Sequence, residues 1–131
     1  YFAVLKRNLA EGGRVLLQAI TVADSFFETY RTSTDYIRQY VFPGGMLLSD
    51  TKIAEQAQKA GLRLRDSFAF GQDYARTCRM WSERLSAQKT RIDELGYGEP
   101  FFRNWKYYLE ICAASFAVGH TNVVQVELAH A

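Results

Sequence analysis

No run of about 18 apolar residues occurs in this 131-residue chain, so no stretch of it is built to cross a bilayer as a helix. No charged-then-apolar leader pattern opens it. Cysteine is scarce: Cys78 and Cys112 fall on different predicted helices without metal-ligand spacing, which reads as two reduced, packed thiols rather than a disulfide framework. Charge of one sign is missing too. The formal net charge is +2 with acids and bases interspersed, so there is no long-range field to drive nucleic-acid binding. These absences predict a cytoplasmic protein. Neither GxGxxG nor GxxxxGK[ST] occurs, so Gly12-Gly13 and Gly44-Gly45 read as a helix cap and a turn, not phosphate cradles. His120 and His130 have no second ligand near them in sequence, which argues against a metal site. No nucleophile elbow, internal repeat or low-complexity segment is present.

Aromatic residues are abundant at 15%, with nine Phe, eight Tyr and two Trp. The length suits one domain with a real core. Because the chain starts at Tyr1 inside an amphipathic segment, residues 1–131 are expected to be a single partial domain of something longer. That first segment, to Ala10, sets Phe2, Leu5 and Leu9 at helical spacing. VLLQAITV (Val15–Val22) hardly alternates and predicts an interior strand covered on both faces. Ala23 to Thr34 reads as polar and irregular, and Asp35 to Tyr40 as a short helix stopped by Pro43.

Ser49 caps a predicted helix with Ile53, Ala57 and Ala60 on one face, closed by Gly61. In LRLRDSFAF, Leu62, Leu64, Asp66, Phe68 and Phe70 alternate with arginines, a strand nearer the sheet edge. Tyr74, Cys78, Trp81, Leu85, Gln88, Ile92 and Leu95 then recur every three or four residues and predict one long helix from Gly71 to Leu95. After GYGEP, Phe102, Trp105, Leu109, Cys112 and Phe116 line a second, ended by Gly119. A closing strand, NVVQVELAH, follows. The aromatic stripes, Trp81, Trp105 and Phe116 included, read as core, which also argues against single-stranded nucleic-acid binding.

Two features stand apart from the core pattern. Tyr74 begins its helix just past a strand end and beside Gly71, where open α/β sheets gather ligands. The stretch RQYVFPGGMLL (Arg38–Leu48) puts apolar side chains on both sides of a Pro-Gly-Gly break.

Taken in order, LAEGGRVLLQAIT, YVFPGGMLLS, AGLRLRDSFAFGQDYARTCRMW, LGYGEPFFRNWKYYLEICAASF and VGHTNVVQVEL resemble the carboxy-terminal half of the cyclopropane-fatty-acyl-phospholipid synthase family, S-adenosylmethionine-dependent lipid methyltransferases. The likeness spans nearly the whole chain. It implies an α/β fold, the carboxy-terminal half of a Rossmann-like class I methyltransferase, with three strands, the last antiparallel and inserted between the other two. It also implies that the glycine-rich adenosylmethionine loop lies upstream of Tyr1.

The implied activity is methylation or cyclopropanation of the double bond of an unsaturated acyl lipid, with bicarbonate as the base that takes the proton. The family's bicarbonate ligands match Tyr74 and the backbone amide of Ile20; a Cys and a Glu belong upstream, and neither Cys78 nor Cys112 matches that Cys. The family's usual His in the strand motif is Gln18 here, an amide that donates hydrogen bonds but takes up no proton near neutrality, so Gln18 is expected to position the anion. Leu48 replaces a usual Pro, and Ala113-Ala114 a usual Glu-Ala. Tyr40, Phe42, Pro43, Gly44, Gly45 and Met46 are expected to border an acyl-chain channel, the glycines allowing a tight turn. A peripheral contact with the inner membrane would follow. The competing expectation is a free-standing lipid-binding or interaction module that has lost methyl transfer. Isolated, the apolar strand at Val15–Val22 is expected to drive dimerisation or domain swapping through its unpaired edge.

Overall fold

Val124, Val126 and Leu128 occupy alternate positions of a closing strand and are almost wholly buried, and the sheet is organised around them. The computed structural model describes all residues 1–131. The elements run α1 (Phe2–Asn8), β1 (Val15–Val22), α2 (Asp24–Thr32), a π-turn (Ile37–Val41), α3 (Asp50–Lys59), β2 (Leu62–Ala69), α4 (Gly71–Ala87), α5 (Lys89–Glu94), α6 (Gly98–Ala117) and β3 (Thr121–His130). The sheet order is β1-β3-β2, and β3 is antiparallel to both neighbours. β1 and β2 are therefore parallel to each other, with the reversed strand between them.

On one face of β3, Val124, Val126 and Leu128 meet Ile53 and Ala57 of α3, Leu62 of β2, and half-buried residues of α1 and β1. On the other, Val123 packs with Ala75 and Cys78 of α4 and Ala113 and Phe116 of α6. α4 joins the sheet closely. The Gly71 N–H donates to Asn122 Oδ1 at 2.8 Å, and a Cβ on Gly71 would stand 3.2 Å from the Asn122 Cα. Any larger residue would push the helix off the strand.

Four local expectations need correction. Ala23 to Thr34 is not irregular: α2 occupies most of it and buries Phe27 and Tyr30. Its aromatics at positions 26, 27 and 30 have helical spacing, which the polar residues around them mask. The short helix at Asp35–Tyr40 is a π-turn at Ile37–Val41. The single helix from Gly71 to Leu95 breaks at Gln88 into α4 and α5, and of the expected stripe Cys78 and Ile92 are buried while Leu95 is exposed. Trp81, expected in the core, is 42% exposed.

β1 also departs from the expected double cover. Its odd residues Val15, Leu17 and Ala19 pack under α1 and α3, but Leu16 is 76% exposed on the opposite face. α4 and α6 cover that face only around Val123 and do not reach the strand's beginning. β2 is an edge strand as its alternation predicts, but a bulge between Leu64 and Asp66 changes its register. Leu64 pairs with Leu128 on one face, whereas Phe68 pairs with Gln125 on the other. The extra residue, Arg65, reverses the alternation.

Candidate functional site

Where β1 ends at its carboxyl terminus and β3 begins, the chain leaves a cavity of about 750 Å³. In open α/β sheets this end of the parallel strands is where ligands bind. One wall is the end of β1 with α2; the second is α6; the third is the segment from Asp35 to Leu47. Fourteen of its twenty lining residues are hydrophobic, so it suits a long apolar ligand.

Several bonds fix these walls. The Val22 N–H donates to Leu48 O at 3.0 Å, and the Ala23 N–H donates to His120 O at 3.0 Å. Thr51 Oγ1 donates to Asp24 Oδ2 at 2.9 Å, tying the start of α2 to α3. That bond and a hydroxyl bond from Ser49, the larger effect, hold the Asp24 carboxyl below its usual range. The loop wall hangs on Tyr30 and Arg38. Arg38 Nη2 donates to Tyr30 O at 2.7 Å and Nε to Asp35 Oδ2 at 3.0 Å, and the guanidinium lies 4.1 Å from the centre of the Tyr30 ring. The Tyr30 hydroxyl accepts from the Leu47 N–H at 3.2 Å. A turn closed by the Gly45 N–H on Phe42 O, with Gly44 at φ +80°, completes the loop.

Of the residues singled out from sequence, Ile20, Phe42, Gly45 and Met46 line the cavity. Tyr40, Pro43 and Gly44 lie on the same loop but outside the lining. Tyr74 sits one ring behind the wall, edge-on to Phe116 at 5.2 Å, and Phe116 is a lining residue. Gln18 is on the same sheet face as Ile20, with its Oε1 accepting from Gln125 Nε2 at 3.0 Å. Strand alternation turns the Ile20 N–H to the outer edge, the side on which Val22 meets Leu48; no strand pairs with that edge at Ile20.

Sequence reasoning missed Tyr30, Arg38, Ile111 and His120 as parts of this wall. Only Tyr30 had a usable signal, through the aromatic spacing of α2. Arg38, eight residues on, has an acidic partner three residues before it in Asp35, but its bond to the Tyr30 carbonyl and its place over the Tyr30 ring come only with the fold. Burial raises two groups of α6: Cys112 is pushed up to about 11 and Tyr108 higher still, so both stay protonated and neutral at the wall.

A reversed strand inserted between two parallel ones, with helices on both faces, is the carboxy-terminal half of a Rossmann-like class I methyltransferase. The chain belongs to the family described as mycolic acid cyclopropane synthetase, which matches residues 1–126. It is 36% identical over 126 residues to the tuberculostearic acid methyltransferase UfaA1 of Mycobacterium tuberculosis, covering 95% of this chain and 30% of that protein. It is equally similar, 36% over 126 residues, to the cyclopropane-fatty-acyl-phospholipid synthase of Escherichia coli K12, covering 96% of this chain and 31% of that protein. The mycolic acid cyclopropane synthase CmaA1, solved in complex with SAH and CTAB, superposes with a TM-score of 0.86 at 28% identity over 97% of this chain and 47% of its own. The chain thus spans about a third to a half of the length of these relatives. Nothing among them supports a free-standing module without methyl transfer. No helix is long and apolar enough to cross a membrane.

Proposed function

We propose that these residues form the acyl-binding part of an S-adenosylmethionine-dependent enzyme that methylates or cyclopropanates the double bond of unsaturated fatty acyl chains. The observation that carries the reading is the 750 Å³ apolar cavity at the carboxyl end of β1, with Phe42 and Met46 at its rim. Each methylene moved from water into such a wall is worth about 0.8 kcal/mol, so a few of them hold a chain. Tyr40, Phe42 and Met46 are all more than half exposed beside the opening. A rim of that kind suits peripheral contact with a lipid surface.

The residues described here do not by themselves make an adenosylmethionine seat. The one carboxylate on the cavity wall, Asp35, is already bound by Arg38, and no glycine cradle follows a strand. The partial-domain reading assigns that seat to the remainder of the protein. Bicarbonate is the proposed small base, and when bound it would supply proton acceptance in a dry site. Its donors in this chain would be the Ile20 N–H and the Gln18 amide; the Tyr74 hydroxyl, the third candidate, would join them only if the Phe116 ring in front of it swings aside. Two features support this. The Ile20 N–H points away from β3 on an edge with no strand partner there, and the Gln18 carbonyl is occupied by Gln125, leaving its NH2 to donate.

The test is methyl transfer from labelled adenosylmethionine to monounsaturated phospholipid by the complete protein, read as the gain of one methylene in the acyl chain. Filling the cavity with Ile111→Trp should displace two or more methylenes and lower turnover by about tenfold or more. Unchanged turnover and chain-length preference in that variant would exclude the cavity as the acyl site.

A further inference from the structure

Methyl addition to one carbon of a double bond makes a carbocation at the other. A C–H bond beside it then breaks, its electron pair closes the ring or forms a new alkene, and a proton is left inside an apolar space. That proton must leave before the next turnover. Gln18 is an amide and takes up none near neutrality. Asp35 is held by Arg38 Nε at 3.0 Å, and burial keeps Cys112 and Tyr108 protonated. The remaining ionisable groups of the cavity wall are three phenols and the imidazole of His120. Among these side-chain classes only imidazole ordinarily gains and loses a proton between about pH 5 and 8.

His120 also bridges inside and outside, since it lines the cavity and is exposed to solvent. Its backbone is fixed on two sides: the Ala23 N–H donates to His120 O at 3.0 Å, and the His120 N–H donates to Ser115 O at 3.0 Å. These bonds seat it at the carboxyl end of β1, one residue before Thr121, the strand partner of Val22. Its ring meets the Phe26 ring at 76°, with centroids 5.4 Å apart. His130 Nε2 lies 3.0 Å from Leu9 O, whereas no hydrogen bond within the chain occupies either ring nitrogen of His120.

We infer that His120 is the proton outlet of the cavity: a free ring nitrogen accepts the proton from the cavity side and gives it up to bulk water, returning to neutral imidazole. The inference rests on the methyl-transfer reading and adds a residue that resets the site between turnovers without touching the reacting carbon.

Methyl transfer by the complete protein carrying His120→Gln tests it. A first turnover needs no reset, so in this variant steady-state turnover should lag about tenfold or more behind the first, and added imidazole should close the gap. Equal first-turnover and steady-state rates in the variant, or a lag that imidazole leaves uncorrected, would overturn the outlet. A second measurement uses the unsubstituted protein: the His120 ring, followed by NMR, should titrate between about pH 5 and 8 and shift when oleyl alcohol enters the cavity. A ring that does not titrate there, or that oleyl alcohol leaves unmoved, would also overturn it. Absence of methyl uptake by the unsubstituted protein would remove the methyl-transfer reading and the outlet together, whereas normal uptake with no lag in His120→Gln would remove the outlet alone.

Discussion

Cys112 lies on the cavity wall with its thiol pushed up to about 11 from an ordinary 9.0, and burial is the main cause. Cys78 and Tyr108, its neighbours in the α4–α6 packing, shift in the same direction for the same reason. In the unfolded chain the thiol loses its proton at lower pH than in the folded one. Its contribution to stability is therefore complete below about pH 9 and is lost as pH rises toward 11. Urea unfolding across that window should show falling stability, and Cys112→Ala should make the fall shallower. Identical slopes in the two proteins would contradict a buried, protonated thiol. Sequence alone had put Cys112 on the apolar face of its helix, and its packing was legible from that spacing. Tyr74 was legible as the head of a helix beside a strand end. That a phenylalanine, Phe116, stands between it and the cavity was not, since spacing gives a residue's face but not the reach of its neighbour's ring.

Elements with strong periodicity, α3, α6 and β3, followed from sequence, down to the glycines that end the helices. Gly61 and Gly119 have φ of +75° and +76°. The failures have physical causes: the bulge at Arg65 defeats a strict period of two, and in α2 three aromatics carry a burial pattern that polar neighbours obscure. The segment between Ser33 and Leu47 is the least legible of all. Its shape depends on tertiary bonds to Tyr30 and Arg38 rather than on local preference. Tyr30→Phe removes the acceptor of the Leu47 N–H and should cost about 1 kcal/mol of stability. Hydrogen exchange at Leu47 should accelerate, while amides within α3 and β3 remain protected. Uniform acceleration throughout the chain would instead mean that Tyr30 supports the whole core and not this loop.

At the scale of the molecule, the strand order places β1 outermost, and that edge carries a single bridge, Thr21 to Leu48. Leu16 and Phe68 are both more than half exposed on one sheet face, where Gln18 and Gln125 also lie. An apolar edge strand with one bare face is a template for pairing with another chain. In a complete methyltransferase sheet that edge would meet the next parallel strand, and the same demand explains why VLLQAITV reads as an interior strand while its first half is exposed here. Residues 1–131 produced alone should therefore associate through β1, as a dimer or by strand exchange. Leu16→Lys places a charge on the bare face without touching the covered residues Val15 and Leu17, and should shift the population toward monomer. Sedimentation equilibrium over a range of concentrations measures both. A well-folded monomer at high concentration, unaffected by Leu16→Lys, would show that the β1 edge is not a pairing surface.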